Sequence, residues 1–294
     1  MRIIDILNKK RTLSFEVFPP KKDSDGYNNL LKTIDSLKQY NPDFISVTYG
    51  ASGSLSKNTV EIASYIKNKI GIEALAHLTG GPSSFEDVDK IVTELKNNNI
   101  ENVLALRGDK PVDYLSEYCK YFKHATDLMD YLKDSDLSIA AACYPEGHIE
   151  SDTLYDDLLN MKKKEECGAE FFITQIFYDN SYYYRLVTEA RKIGIKAPII
   201  PGIMPLVSSK NISRIKNMCG STIPLAFRNM IEIYKDKPQV MEEIGINYAV
   251  YQIIDLLAVG APGVHIYIMN NIKVAKKIYE RLENVFSELF KSTE

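Results

Sequence analysis

The 294-residue sequence contains no tryptophan, four cysteines and four histidines, and its formal net charge is only −3 with a pI near 5.9. That balance argues against a surface for nucleic acid or an anionic membrane, since both need a concentrated basic patch to release counterions. Lys162-Lys163-Lys164 is the one basic run, and it is too short for that task. Cys119, Cys143, Cys167 and Cys219 show no C-x-x-C pairing and no accompanying ligand-spaced histidines. Thiols buried in a reducing compartment are therefore expected, with neither disulfides nor a metal site. Charge interrupts the first eleven residues before a signal-type apolar core can form, and no later segment reaches membrane-spanning length. The expectation is a soluble cytoplasmic protein. Neither G-x-G-x-x-G nor G-x-x-x-x-G-K-[ST] occurs, and Gly50-Ala51-Ser52-Gly53 lacks the required spacing.

What is present is a regular alternation. The chain is 45% hydrophobic, enough for a large core, and its length fits two modest domains or one (β/α) barrel. Leu13 to Phe18 reads as a strand closed by Pro19-Pro20, and Leu30, Leu31, Ile34 and Leu37 follow at helical spacing. Phe44 to Tyr49 is a second strand, followed by a helix through Val60, Ala63, Ile66 and Ile70 that Gly71 ends. Ala74 to Leu78 is a third. Ser84 and Asp87 then form a candidate capping box for a helix carrying Val88, Ile91, Val92 and Leu95. Asn102 to Leu106 is the fourth strand and stops at Arg107-Gly108-Asp109. A helix near Tyr114 to Lys133 leads to a fifth, Leu137 to Cys143, and Leu154, Leu158 and Met161 give the next helix a buried stripe. Phe171 to Phe177 and Pro198 to Met204 are the sixth and seventh strands, separated by a helix that stops at Gly194. A short helix near Ser209 to Cys219, an irregular stretch from Ile223 to Lys237 and a helix from about Val240 to Val259 precede the eighth strand, Val264 to Met269. An amphipathic helix through Ile272, Ala275, Ile278, Leu282, Val285 and Leu289 closes the chain.

Eight strands alternating with helices predict a single-domain α/β (β/α)8 barrel over residues 1–294, with extra helical material before the last strand. A doubly wound open sheet is the competitor, and the missing glycine fingerprints count against it. No linker, low-complexity tract or longer repeat divides the chain.

Polar residues follow these apolar runs at Glu16, Thr48-Tyr49, His77, Arg107-Gly108-Asp109, Tyr144 with His148, and Gln175. Singly, each has a bland explanation: His77 could be a core histidine, and Glu16 could cap a helix or pair with a lysine. Together, six strand ends converging on one barrel mouth argue for a site, because burying so many polar groups without solvent or ligand is costly. Glu16, flanked by Phe15, Val17 and Phe18, is expected to have a raised pKa suited to general-acid work. No G-x-S-x-G elbow and no metal-ligand spacing accompany it. Asp157, Asn160 and Lys164, with Lys163 beside them, share one helix face. This is either an ordinary solvated face or a platform for ribose and phosphates.

The ordered motifs resemble a known family, the short bacterial 5,10-methylenetetrahydrofolate reductases. They are Ser14-Phe15-Glu16-Val17-Phe18-Pro19-Pro20, Ser46-Val47-Thr48-Tyr49-Gly50-Ala51, Ala76-His77-Leu78-Thr79, Leu104-Ala105-Leu106-Arg107-Gly108-Asp109, Tyr144-Pro145-Glu146-Gly147-His148, Ile173-Thr174-Gln175 and Ile200-Pro201-Gly202-Ile203. The resemblance implies FAD as cofactor, with hydride passing from NADH or NADPH through the flavin to methylenetetrahydrofolate. It implies Glu16 as the acid that opens the folate ring, Asp109 as a carboxylate near flavin and pterin, and Gln175 as a contact to folate and nicotinamide. Thr48, Tyr49, Ala51, His77, Arg107, Gly108, Asp109, Tyr114, Tyr144, His148, Ser151, Asp157, Asn160, Lys163 and Lys164 fall at its FAD positions. Asn211 and Asn271 fall at folate positions where the family more often has glutamine and arginine, and Lys163 replaces an arginine. Phe227 stands near a usual tryptophan. Two other readings stay open: a flavin-bearing subunit fed by a redox partner protein, and a folate-binding methyl-transfer barrel without flavin. NADH against NADPH, and any homo-oligomer, are not legible in the sequence.

Overall fold

The computed structural model describes residues 1–20, 24–49, 56–109, 118–212 and 220–291. Ala51, Tyr114 and Cys219 lie outside them. Among the described residues, nine parallel strands form one sheet: β1 (Thr12–Val17), β2 (Phe44–Val47), β3 (Glu73–Thr79), β4 (Asn102–Leu106), β5 (Ser138–Cys143), β6 (Ala169–Thr174), β7 (Ile199–Ile200), β8 (Gly202–Ile203) and β9 (Gly263–Tyr267). Their spatial order, β7-β6-β5-β4-β3-β2-β1-β9-β8, leaves β7 and β8 at the two ends. These two are halves of one chain segment parted by Pro201, which has no N–H to give a ladder. Ile199 and Ile200 pair with β6, Gly202 and Ile203 pair with β9, and the Pro201 carbonyl accepts from His265 N at 3.0 Å. The ring is therefore a closed eight-strand barrel, as the sequence pattern predicts.

Strand alternation sorts the side chains. Phe15, Val17, Ile45, Val47, Val103, Ala105 and Phe172 point outward into the layer covered by helices. Phe44, Leu75, Leu104, Ala140, Phe171 and Ile200 point inward and fill the barrel floor, together with Ile3 of a short N-terminal helix, α1 (Ile3–Leu7). Nothing in the sequence pattern announces α1. It is held because Asn102 Oδ1, at the start of β4, accepts from Ile3 N at 2.8 Å. Inward positions near the carboxyl ends are polar instead: Glu16 lies opposite Ser46 on β2, and Ser14 opposite His265 on β9.

The helices α2 (Ser24–Leu37), α3 (Ser56–Ser64, continued by a wider turn to Ile70) and α4 (Phe85–Asn97) match the expected periodicities. Gly71 (φ +82°) ends the second of these in the left-handed region. Ser84 and Asp87 do form a capping box: Ser84 Oγ accepts from Asp87 N at 3.2 Å, and the Asp87 carboxylate accepts from Ser84 N at 3.0 Å. The helix expected from Tyr114 to Lys133 is shorter among the described residues, where α5 spans Ala125–Leu132 behind turns at 118–124. Leu154, expected in the buried stripe of α6 (Leu154–Glu166), is 41% exposed, while Asp157 is 8% exposed beside buried Leu158 and Met161. The stripe thus begins one turn later. After α7 (Asn180–Lys192), the supposedly irregular stretch before the last strand contains α8 (Leu225–Tyr234), whose Phe227 and Ile231 pack against Tyr178, Met204, Leu206 and Met241. The helices α9 (Pro238–Ala258) and α10 (Ile272–Leu289) complete the wall. Among the described residues, no helix is long and apolar enough to cross a membrane.

Candidate active site

The most buried carboxylate of the mouth among the described residues is Glu16, only 6% exposed. Its Oε2 lies 3.3 Å from His77 Nε2 on β3 and 3.7 Å from His265 Nε2 on β9, and it accepts from Ser46 Oγ on β2 at 3.2 Å. The sequence context predicts a raised pKa, and the structure reverses this. Burial does raise it, but the imidazoles of His265 and His77 beside it outweigh burial and bring it down to about 2. Hydrophobic neighbours in sequence point outward from the strand, so the groups that lower this carboxyl come from two other strands, β9 and β3. His265 is fully buried and escapes sequence reading because it sits mid-run in an apolar strand. The usable signal is parity: Ser14, Glu16, Ser46, His77 and His265 all occupy inward positions.

The second cluster forms where β4 and β5 end. Arg107 reaches Glu150 with both guanidinium nitrogens, at 2.5 and 3.1 Å, and its pKa is raised by that hydrogen-bonded carboxylate. Gly108 (φ +90°) allows the chain to turn there, since a Cβ would lie 2.3 Å from Thr79 Cγ2. Asp109 is exposed, and its carbonyl accepts from Tyr118 Oη at 2.8 Å. Tyr144 and His148 stack edge-on with ring centroids 4.6 Å apart. Ser151 Oγ donates to Asp157 Oδ1 at 3.1 Å. Burial raises the Asp157 pKa and lowers that of Lys164, whose Nζ donates to the Ala142 carbonyl at 2.8 Å and lies 5.6 Å from the Tyr144 ring centroid. Arg107, Glu150, Asp157 and Lys164 all act electrostatically on half-buried His148, whose pKa is lowered chiefly by burial. Buried Asp157 and half-buried Lys164, beside aromatic rings and a guanidinium, suit a ligand carrying hydroxyl and anionic groups.

Other expected positions are less engaged. Asn160 and Lys163 are exposed on α6. Thr48 and Tyr49 are half-buried at the tip of β2, and the Thr48 carbonyl accepts from Thr59 Oγ1 at 3.0 Å. Gln175 folds back, its Oε1 accepting from Ile176 N at 2.8 Å. Asn271 is the N-cap of α10, accepting from Lys273 N at 3.1 Å and Val274 N at 3.4 Å, and Asn211 lies on a short 3-10 turn over Ser209–Asn211. Asn270, next to Asn271 and absent from the sequence-derived set, ties the strand ends together by exchanging hydrogen bonds with Phe18 N and O at 2.9 and 2.8 Å.

A closed parallel barrel whose strand ends carry one buried carboxylate and an adjoining charged, aromatic pocket defines a small-molecule enzyme of the (β/α)8 class. The sequence model for methylenetetrahydrofolate reductase matches residues 2–283, and the chain belongs to that family. It is 36% identical to methylenetetrahydrofolate reductase (NADH) 1 of Arabidopsis thaliana, over 94% of this chain and 50% of the plant protein. It is 34% identical to 5,10-methylenetetrahydrofolate reductase of Escherichia coli, over 92% of this chain and 90% of the bacterial one. The chain thus spans about half the length of the plant relatives and nearly all of the bacterial relative. A solved structure with the same fold, TM-score 0.64 and 16% identity, covers 96% of this chain and 100% of its own. It is an uncharacterized protein from Clostridium thermocellum described as binding two copies of 5-methyl-5,6,7,8-tetrahydrofolic acid.

Proposed function

We infer that this chain is a single-barrel, FAD-dependent methylenetetrahydrofolate reductase that uses NADH or NADPH to form 5-methyltetrahydrofolate. The observation that carries this reading is the Glu16 cluster at the barrel mouth in a chain of this family, with the charged pocket of Arg107, Tyr144, His148, Asp157 and Lys164 beside it. That pocket fits FAD by its chemistry. Buried Asp157, already accepting from Ser151, suits ribose hydroxyls, and Lys164 with exposed Lys163 suits the pyrophosphate. Tyr144 and His148 offer ring faces, and Thr48, Tyr49, Ala51, His77, Gly108, Tyr114 and Asn160 would complete the cofactor shell. Bound there, FAD would supply the hydride chemistry between nicotinamide and folate.

The chain's own residues do the rest. Asp109, exposed at the tip of β4, would orient the pterin. Gln175 would release the Ile176 N–H to meet folate or nicotinamide. Asn211 and Asn271 stand at the folate tail, and Asn271 can serve there only while it also caps α10. Glu16 would deliver the proton that opens the folate ring. Because it rests as a carboxylate, it must first receive that proton.

The purified protein is therefore expected to be yellow, to bleach under anaerobic NADH or NADPH, and to regain colour when methylenetetrahydrofolate is added. A colourless protein that refuses added FAD overturns the reading. Flavin that only a protein donor can reduce would instead make the chain a subunit of a redox complex.

A further inference from the structure

We propose that Ser46 is a proton-relay residue: its hydroxyl bridges His265 and Glu16, so that the fully buried imidazole stores the proton that Glu16 delivers to folate. This rests on the reductase reading and deepens it.

The geometry is a three-strand chain of groups. Ser46 Oγ lies 3.4 Å from His265 Nε2 and 3.2 Å from Glu16 Oε2, whereas the direct gap from His265 Nε2 to Glu16 Oε2 is 3.7 Å. Each hop through the hydroxyl is therefore shorter than the direct gap, and each lies within hydrogen-bond reach while the direct gap does not. A hydroxyl donates one hydrogen and accepts others, which is what a relay requires. The far side of the ring is also prepared for a cation. Ser14 Oγ sits 2.8 Å from His265 Nδ1 and can donate its own hydrogen to the Val264 carbonyl at 3.2 Å, leaving a lone pair for an Nδ1–H. In the imidazolium both N–H groups thus have oxygen acceptors, Ser14 and Ser46, and the charge faces the Glu16 carboxylate. The ring is fixed by Phe44, stacked at a centroid distance of 6.0 Å, and by Tyr267, edge-on at 5.0 Å.

The transfer balances. His265 Nε2–H passes its proton to Ser46 Oγ as the Ser46 hydrogen passes to Glu16 Oε2. The products are a neutral imidazole, an intact serine hydroxyl turned toward Nε2, and a protonated Glu16 that gives its proton to a folate nitrogen. One proton from solvent restores the imidazolium, matching the one proton that reduction by NADH or NADPH consumes. Among the described residues His77 also faces Glu16, at 3.3 Å, from β3, which lies beyond β2 on the side away from β9.

The test compares the two half-reactions of flavin-loaded wild type and Ser46→Ala by stopped flow across a pH series. General acid transfer is worth roughly a hundredfold or more, so the variant is expected to slow flavin reoxidation by methylenetetrahydrofolate by about that factor relative to its rate of reduction by NADH. That loss should shrink as pH falls and solvent protonates Glu16 directly. In wild type, reoxidation rates in mixtures of light and heavy water should follow a bowed curve, because two hydrogens move together. Equal slowing of both half-reactions, an unchanged pH profile, or a straight line in the isotope mixtures would overturn the relay. A wild type that folate never reoxidises overturns the reductase reading itself, and the relay with it.

Discussion

Replacing Glu16 by glutamine tests the electrostatics of the mouth without any substrate. Burial alone would raise this carboxyl, yet His265 and His77 hold it near 2 against an ordinary 4.5. A carboxyl depressed on folding stabilises the native state above its unfolded pKa, and that stability is lost as the pH falls through the folded one. At roughly 1.4 kcal/mol per pH unit, the gap amounts to about 3 kcal/mol. The amide of Glu16→Gln cannot ionise, so every other carboxylate contributes to both proteins and cancels in the comparison. Urea unfolding from about pH 5 down to about pH 2 should show wild type losing about 3 kcal/mol more than the variant. A stability difference that stays constant over that window would refute the paired-histidine account of Glu16.

Two further outcomes follow from the second cluster. Asp157→Asn should raise the melting temperature of the flavin-free protein near neutral pH, since burial raises this carboxyl and its ionisation opposes folding there. The same change should weaken FAD binding, measured by fluorescence titration; a variant that is less stable yet binds FAD normally would show that Asp157 serves the fold alone. Gly108→Ala should destabilise the protein by roughly 1 to 3 kcal/mol, because alanine must occupy φ +90° with its Cβ against Thr79. Denaturant unfolding checks this, and an unchanged midpoint would show that the turn relaxes without strain.

The barrel was legible because its strands are short apolar runs ended by glycine, proline or charge, and because helical spacing intervenes each time. The seventh strand, expected as one run from Pro198 to Met204, is instead divided at Pro201, whose missing N–H interrupts the ladder. Other features were hidden for a physical reason. The helix α1 is too short for periodicity and depends on a contact with Asn102 ninety-nine positions away. Leu154 looks like a core residue by spacing, but it sits in the first turn of α6, where the core has not yet been reached. The direction of the Glu16 shift could not be read from Phe15 and Val17, since β-strand neighbours point to the opposite face. It depends on His265 of the adjacent strand β9 and on His77 of β3, two strands away on the other side. Strand ends brought Glu16, Arg107 and Tyr144 into view and helical spacing brought Asp157; pairing Ser46 and His265 with Glu16 required register and parity, and Glu150 and Asn270 required the folded loops.

The most direct test of the reductase reading is anaerobic stopped-flow spectroscopy of flavin-loaded Glu16→Gln beside wild type. Both should bleach with NADH or NADPH at comparable rates, and only wild type should then be reoxidised by methylenetetrahydrofolate at an appreciable rate. Equal loss of both half-reactions, or full folate reduction by the variant, would contradict Glu16 as the acid at the barrel mouth.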